Sequence, residues 1–202
     1  MLTQTQEQIL EFLLANPEEQ VTIRGISRIL NKSYTLIYNN LKDLEKKEII
    51  NKQDVPPAKI IKLNEFAPTN VLINIELKRK NTFLKKHPWI QLMLKDILES
   101  TNNPFFILLI FGSYAKGKQT SKSDLDLLII VQNKREIKEI ENAIQKSYTK
   151  VKKSMNIVDI NNFTEMIQNT EELNIGNEAR KYHVILHGAE DYYQILKKVY
   201  RR

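Results

Sequence analysis

The chain has 202 residues, a formal net charge of +7, 42% hydrophobic residues and no cysteine. That length allows one large domain or two small ones, and the lack of cysteine excludes disulfides and thiolate metal sites. No apolar run approaches the ~20 residues of a membrane helix, and the N-terminus MLTQTQEQIL lacks the basic and apolar segments of a secretory signal, so a cytoplasmic protein without membrane contact is expected.

The positive charge favours polyanionic partners. It is unevenly spread: residues 1–66 hold nine Lys/Arg against nine Asp/Glu, with only acids before Gln20. In chain order, residues 3–15 place Ile9, Leu10, Leu13 and Leu14 on one helical stripe, stopped by Asn16-Pro17. TIRGISRIL (22–30) predicts a second short helix with Ile23, Ile26, Ile29 and Leu30 inward. Ser33 is placed to cap a third helix running to Lys47. In that helix Ile37, Leu41 and Leu44 face a core, and Thr35, Leu36, Asn39, Asn40 and Lys42 fall largely outside the stripe. Short β runs at 49–50 and 60–63 then flank the turn in DVPPAK.

Three helices followed by a β-hairpin resemble a winged helix-turn-helix, whose third helix reads a DNA major groove. The resemblance implies base contacts from Thr35, Asn39, Asn40 and Lys42, with Arg24, Arg28, Lys32, Lys52 and Lys59 on phosphates of double-stranded DNA. Glu48 departs from the pattern, standing where glycine is expected, so a different end to the third helix is expected. The alternative is a domain that pairs with a second copy or contacts the rest of the chain.

Residues 71–100 read as two helices, the second opening on Pro88, and Asn102-Asn103-Pro104 marks a turn. Beyond it come a strand at 105–111, a strand at 125–131, a helix at 135–149, a strand at 155–160 and a helix at 163–172. A short helix at 175–181, a strand in HVILH and a helix at 189–200 complete the order. The class is α/β (α+β), with helices packed on a small mixed sheet. The expected division is a winged-helix domain at 1–66, a helical linker with the start of the second domain at 67–104, and the body of that domain at 105–202. Trp89 reads as a packing anchor, and His183 and His187 as satisfied groups rather than ligands. The basic stretch KSYTKVKKS (146–154) reads as a solvated connection, with an RNA contact or a modifiable Tyr148 as the alternative.

The stretch FGSYAKGKQTSKSDLDLLIIV (111–131) carries the chemistry. Gly112 lets a phosphate approach the main chain where a strand turns into a helix, and Ser113 adds a hydroxyl. Asp124 and Asp126 are two apart at the start of a strand, so both point to one face while Leu125, Leu127 and Ile129 point to the other. Adjacent carboxylates repel and raise one another's pKa unless a cation lies between them, and Mg²⁺ suits such oxygen ligands. For the pair alone, two polar residues at a strand's exposed start is the simpler reading. Asp159 adds a third acid in the apolar run SMNIVDI, where an unpaired carboxylate is costly.

Gly112-Ser113, ten residues, then Asp124-Leu125-Asp126 resembles the signature of the DNA polymerase β nucleotidyltransferase superfamily, most of all the minimal nucleotidyltransferases. Lys116 stands where that family commonly has arginine. The resemblance covers residues 88–200 and implies a nucleotidyltransferase that releases pyrophosphate. Asp124, Asp126 and Asp159 would hold two Mg²⁺ ions, with Asp159 helping to activate the attacking hydroxyl. Gly112, Ser113, Lys116 and Ser123 would contact a nucleoside triphosphate, with ATP the expected donor. The implied acceptor is a hydroxyl of a macromolecule, either RNA or a protein tyrosine, as in antitoxins of the minimal family that transfer AMP to a partner toxin. The alternative is a winged-helix regulator whose second domain only senses nucleotide or holds a partner.

Overall fold

A computed structural model describes residues 1–169 and 173–201. It separates into two compact units, Met1–Ile75 and Glu76–Arg202.

The first unit is built from α1 (Gln4–Ala15), β1 (Val21–Thr22), α2 (Ile23–Ile29), α3 (Tyr34–Lys46), β2 (Ile50–Val55) and β3 (Ala58–Leu63). Thr3 opens α1 with a reciprocal capping box: its hydroxyl accepts from Gln6 N, and Gln6 Oε1 accepts from Thr3 N. Ser33 caps α3 by accepting from Leu36 N. The apolar stripes meet in a core that includes Ile9, Leu10, Ile26, Ile37, Leu41 and Leu44, all fully buried. Each such side chain contributes roughly 1.5–3 kcal/mol. The sheet runs β1-β3-β2, antiparallel throughout, so the hairpin forms a wing and β1 adds a short outer strand. Two residues carry no periodicity, which is why β1 has no trace in the sequence pattern. The unit is a winged helix-turn-helix.

Two expectations need correction here. Asn40 is only 8% exposed. Its side chain donates to Leu36 O and accepts from Thr3 Oγ1, both at 2.8 Å, so it ties α3 to α1 and does not face outward. The end of α3 is also unlike the expectation. Glu48 adopts φ +55°, and Ile49 N reaches back to Leu44 O at 3.0 Å. The helix therefore ends as a glycine would end it, with glutamate bearing a left-handed strain of ~1 kcal/mol.

A long helix, α4 (Thr69–Lys86), runs across the junction between the units. Within the second unit follow α5 (Pro88–Ser100), β4 (Phe106–Ile110), α6 (Gly112–Ala115) and β5 (Leu125–Val131). Then come α7 (Ile137–Lys146), β6 (Lys153–Asp159), α8 (Ile160–Gln168), α9 (Ile175–Lys181), β7 (Val184–His187) and α10 (Ala189–Tyr200). The helix expected at 163–172 starts at Ile160, and the part of it at 170–172 lies outside the described residues. The sheet order is β6-β5-β4-β7, with β4 antiparallel to both neighbours and β5 parallel to β6. One face packs on α5 and α7 through Leu125, Leu127, Ile129, Val131, Met93, Ile97, Ile140 and Ile144. Trp89 joins this core and meets Tyr114 edge to face. The opposite face is covered by α8, α9 and α10.

The basic stretch before β6 is more ordered than a solvated connection. Lys153 Nζ donates to Ile144 O, and at 2.9 and 3.1 Å to Ser147 O and Oγ, which closes the end of α7 onto the start of β6. His183 Nδ1 meets Ala179 O and His187 Nε2 meets Pro104 O, each at 2.8 Å. Among the described residues no helix is long and apolar enough to cross a membrane.

Candidate active site and nucleic-acid face

β4 leaves the sheet at Phe111, whose N–H donates to Asp126 O at 3.1 Å and pins the corner to β5. Gly112 then takes φ +65°. A Cβ at this position would lie 2.2 Å from Asp126 Oδ2. The Asp126 carboxylate therefore rests on the bare Cα of Gly112, and the corner and the acid form one unit. Lys116 N and Lys118 N donate to Gly112 O and Ser113 O, closing the loop.

Asp124 lies just ahead of β5 with its side chain 42% exposed, 3.7 Å from the freely exposed ammonium of Lys152. Asp126 is half-buried. Burial, then the charges of Glu178 and Asp124, push its carboxyl above the ordinary range, against the Ser154 hydroxyl and Lys116. A cation near these two acids would relieve that repulsion. Ser123 is engaged in its own turn: its hydroxyl accepts from Thr120 N at 2.9 Å.

Asp159 does not join them. In the parallel ladder Asp126 lies beside Ser154 and Val131 beside Asp159. Five residues separate the two levels, or ~16 Å of strand. Asp159 also has the parity of Met155 and Ile157, which pack toward the α5/α7 core, whereas Asp126 points the other way. One of its oxygens accepts from Asn162 N at 3.0 Å and caps α8. The positions of β6 that share Asp126's face at its own end are Ser154 and Asn156, and neither is an acid.

The acid that does bear on Asp126 from elsewhere is Glu178, on α9. Its Oε1 lies 3.5 Å from Lys116 Nζ, which also sits 5.1 Å above the Tyr182 ring. This contact spans 62 positions, and no local pattern signals it. Among the described residues no group of three or more His, Cys, Asp or Glu is arranged to hold a metal ion. Two carboxylates beside an open corner fit a Mg²⁺ ion that keeps waters and takes substrate phosphates as further ligands. They do not supply the third acid on which the expectation of two ions rested.

In the first unit Thr35, Asn39 and Lys42 are exposed on α3, interleaved with exposed Tyr34, Leu36 and Tyr38. Arg24, Ser27, Arg28 and Tyr34 line an open hollow of about 280 Å³. Of the wing lysines, Lys52 is paired with Glu45, and Lys59 lies 3.3 Å from Asp54. Their charge is thus partly spent within the unit.

No curated protein is significantly similar to this chain. Two solved structures are similar over 49% of it: MepR, a transcription regulator of the Staphylococcus aureus multidrug efflux pump MepA, and a point mutant of MepR from a multidrug-resistant S. aureus clinical isolate. The identities are 22% and 20%, covering 79% and 78% of those chains, and the TM-score of 0.33 is too low for either to carry an argument. Residues 93–175 match the family model described as Polymerase beta, Nucleotidyltransferase. That segment lies within the second unit and contains Gly112, Ser113, Asp124 and Asp126.

Proposed function

We propose that the chain transfers a nucleotidyl group from a nucleoside triphosphate, with ATP as donor, to a hydroxyl of a macromolecule, and that its winged helix binds duplex DNA. The observation that carries the first part is the seating of Asp126 on the bare Cα of Gly112. It sets the acid pair against the backbone bend that a phosphate can approach. Gly112 leaves room for the Asp126 carboxylate at that bend, and Ser113 and Lys116 receive the β- and γ-phosphates. Asp124 and Asp126 would hold Mg²⁺, which would supply neutralisation of the charge on a departing pyrophosphate. A protein tyrosine or an RNA end is the acceptor class that a basic chain favours over a small neutral molecule.

A second reading, a nucleotide sensor attached to a DNA-binding module, is favoured by one observation: β6 offers no acid beside Asp126. Pyrophosphate measurement with Mg·ATP and cell extract separates the two. Release of pyrophosphate with a matching mass gain on an acceptor supports transfer. Saturable nucleotide binding with neither supports the sensor.

For the winged helix, duplex DNA from the region upstream of its own gene should be bound in a salt-sensitive manner. Asn39→Ala should weaken binding by about 1–3 kcal/mol, and Lys42→Ala should lower the salt dependence by about one phosphate contact. Asn40→Ala should act on the stability of the unit instead, since that side chain is buried between α1 and α3. An unshifted duplex at low salt would leave this unit without a DNA role.

A further inference from the structure

Lys116, the first cation after Gly112 in the chain, is already engaged. Its backbone N–H closes the corner on Gly112 O at 3.1 Å, so its side chain starts from a fixed point. Its ammonium lies 3.5 Å from Glu178 Oε1 and 5.1 Å above the ring of Tyr182. Glu178 and Tyr182 are one helical turn apart, so the end of α9 presents a carboxylate and an aromatic face together. The helix beneath them is anchored. Asn174 caps it by accepting from Asn177 N at 2.8 Å, and donates to Met166 O at 3.0 Å.

The Lys116 and Glu178 side chains are 32% and 49% exposed, so an arriving anion can compete for the ammonium. A triphosphate outbids a single carboxylate for a lysine, because it presents more charge and more oxygens. It does so only after the lysine has left Glu178.

We propose that Glu178, with the Tyr182 ring as platform, is a positioning residue that parks Lys116 beside the site and surrenders it to the triphosphate as the nucleotide binds. This rests on reading Asp124, Asp126 and Lys116 as a nucleotide site. Nucleotide binding is then an exchange of anions at one lysine, and Glu178 sets its cost. Glu178 also repels phosphate by its charge alone, as it helps hold the Asp126 carboxyl above the ordinary range. The test must separate the two effects.

A double-mutant cycle does so, with the α,β-methylene analogue of ATP and Mg²⁺ as the probe, so that no turnover intervenes. Glu178→Gln should tighten binding by up to about fivefold, the range of an exposed ion pair. Lys116→Met should weaken it. The gain from Glu178→Gln should be larger with Lys116 present than in the Lys116→Met background, and the difference should shrink as salt is raised. Equal gains in both backgrounds would mean that Glu178 acts by repulsion alone, and weaker binding by Glu178→Gln would mean that it presents Lys116 productively. Either result overturns parking while leaving the nucleotide site intact. No binding by the parent protein, or binding indifferent to Lys116→Met, removes the site itself and the inference with it.

Discussion

Replacing Glu76 with alanine is expected to cost the second unit about 3–5 kcal/mol. This carboxylate is 1% exposed. It accepts from Arg79 Nη1 at 2.7 and 2.9 Å and from the buried Tyr193 hydroxyl at 2.9 Å, while His183 Nε2 stands 3.7 Å away. Arg79 also donates to His183 O at 2.8 Å, so one charge pair joins α4, the approach to β7, and α10. Removing the acid leaves the 11%-exposed Arg79 side chain without its counter-charge. Burial pushes the Glu76 carboxyl up, but the Arg79 guanidinium, with His183 and Tyr193, outweighs burial and holds it below its ordinary value. A depressed folded pKa stabilises the fold above the unfolded value and loses that stabilisation as pH falls through the folded one. Glu76→Gln should therefore flatten the acid side of the stability profile. Trp89, the only tryptophan and part of this unit's core, reports the unfolding. The double variant Glu76→Leu/Arg79→Met should recover most of the loss, because both charges leave together. A loss below ~1 kcal/mol for Glu76→Ala would contradict the description of the cluster as a paired buried charge.

The second large effect belongs to Gly112→Ala. The new methyl group meets two obstacles at once. The backbone there has φ +65°, and Asp126 Oδ2 lies 2.2 Å from the Cβ position. The strain should cost about 1–3 kcal/mol of stability. The displaced carboxylate should weaken nucleotide binding or transfer about a hundredfold, the scale of a 1 Å misplacement at a reacting site. Gly117 provides the control, since it has φ +64° but nothing within 4 Å of its Cβ position. Gly117→Ala should show the strain without the functional loss. Equal functional loss in both variants would mean that loop distortion, and not the Asp126 contact, is responsible.

Much of the fold was legible because the relevant signals are local. The helical stripes of α1 and α3, the Ser33 cap and the alternation of Leu125, Leu127 and Ile129 all fall within one turn or one strand, whereas Ile29, expected inward on α2, is 48% exposed. What failed required knowing which ends meet. A strand, a helix and a strand in succession imply parallel pairing, so an acid at the end of β6 cannot reach an acid at the start of β5. That rule, applied to Asp159, would have placed it at the far end of the sheet. Asn40 lies at the margin of the α3 stripe, and its inward turn depends on Thr3, 37 positions away. Glu76 did leave a trace, as an acid in helical register with Arg79 and Phe83 on α4. Glu178 left none, because its partner Lys116 is brought to it only by tertiary packing.

On the proposed function, Asp124 and Asp126, seated at the Gly112 corner, bind a nucleotide through a divalent cation. The most direct measurement is calorimetric titration of ATP into the parent protein and Asp126→Asn, with Mg²⁺ and again with a chelator. Saturable binding is expected for the parent with Mg²⁺, weakened at least about a hundredfold by the chelator and by the substitution. Undiminished binding by Asp126→Asn in the presence of Mg²⁺ would contradict the claim.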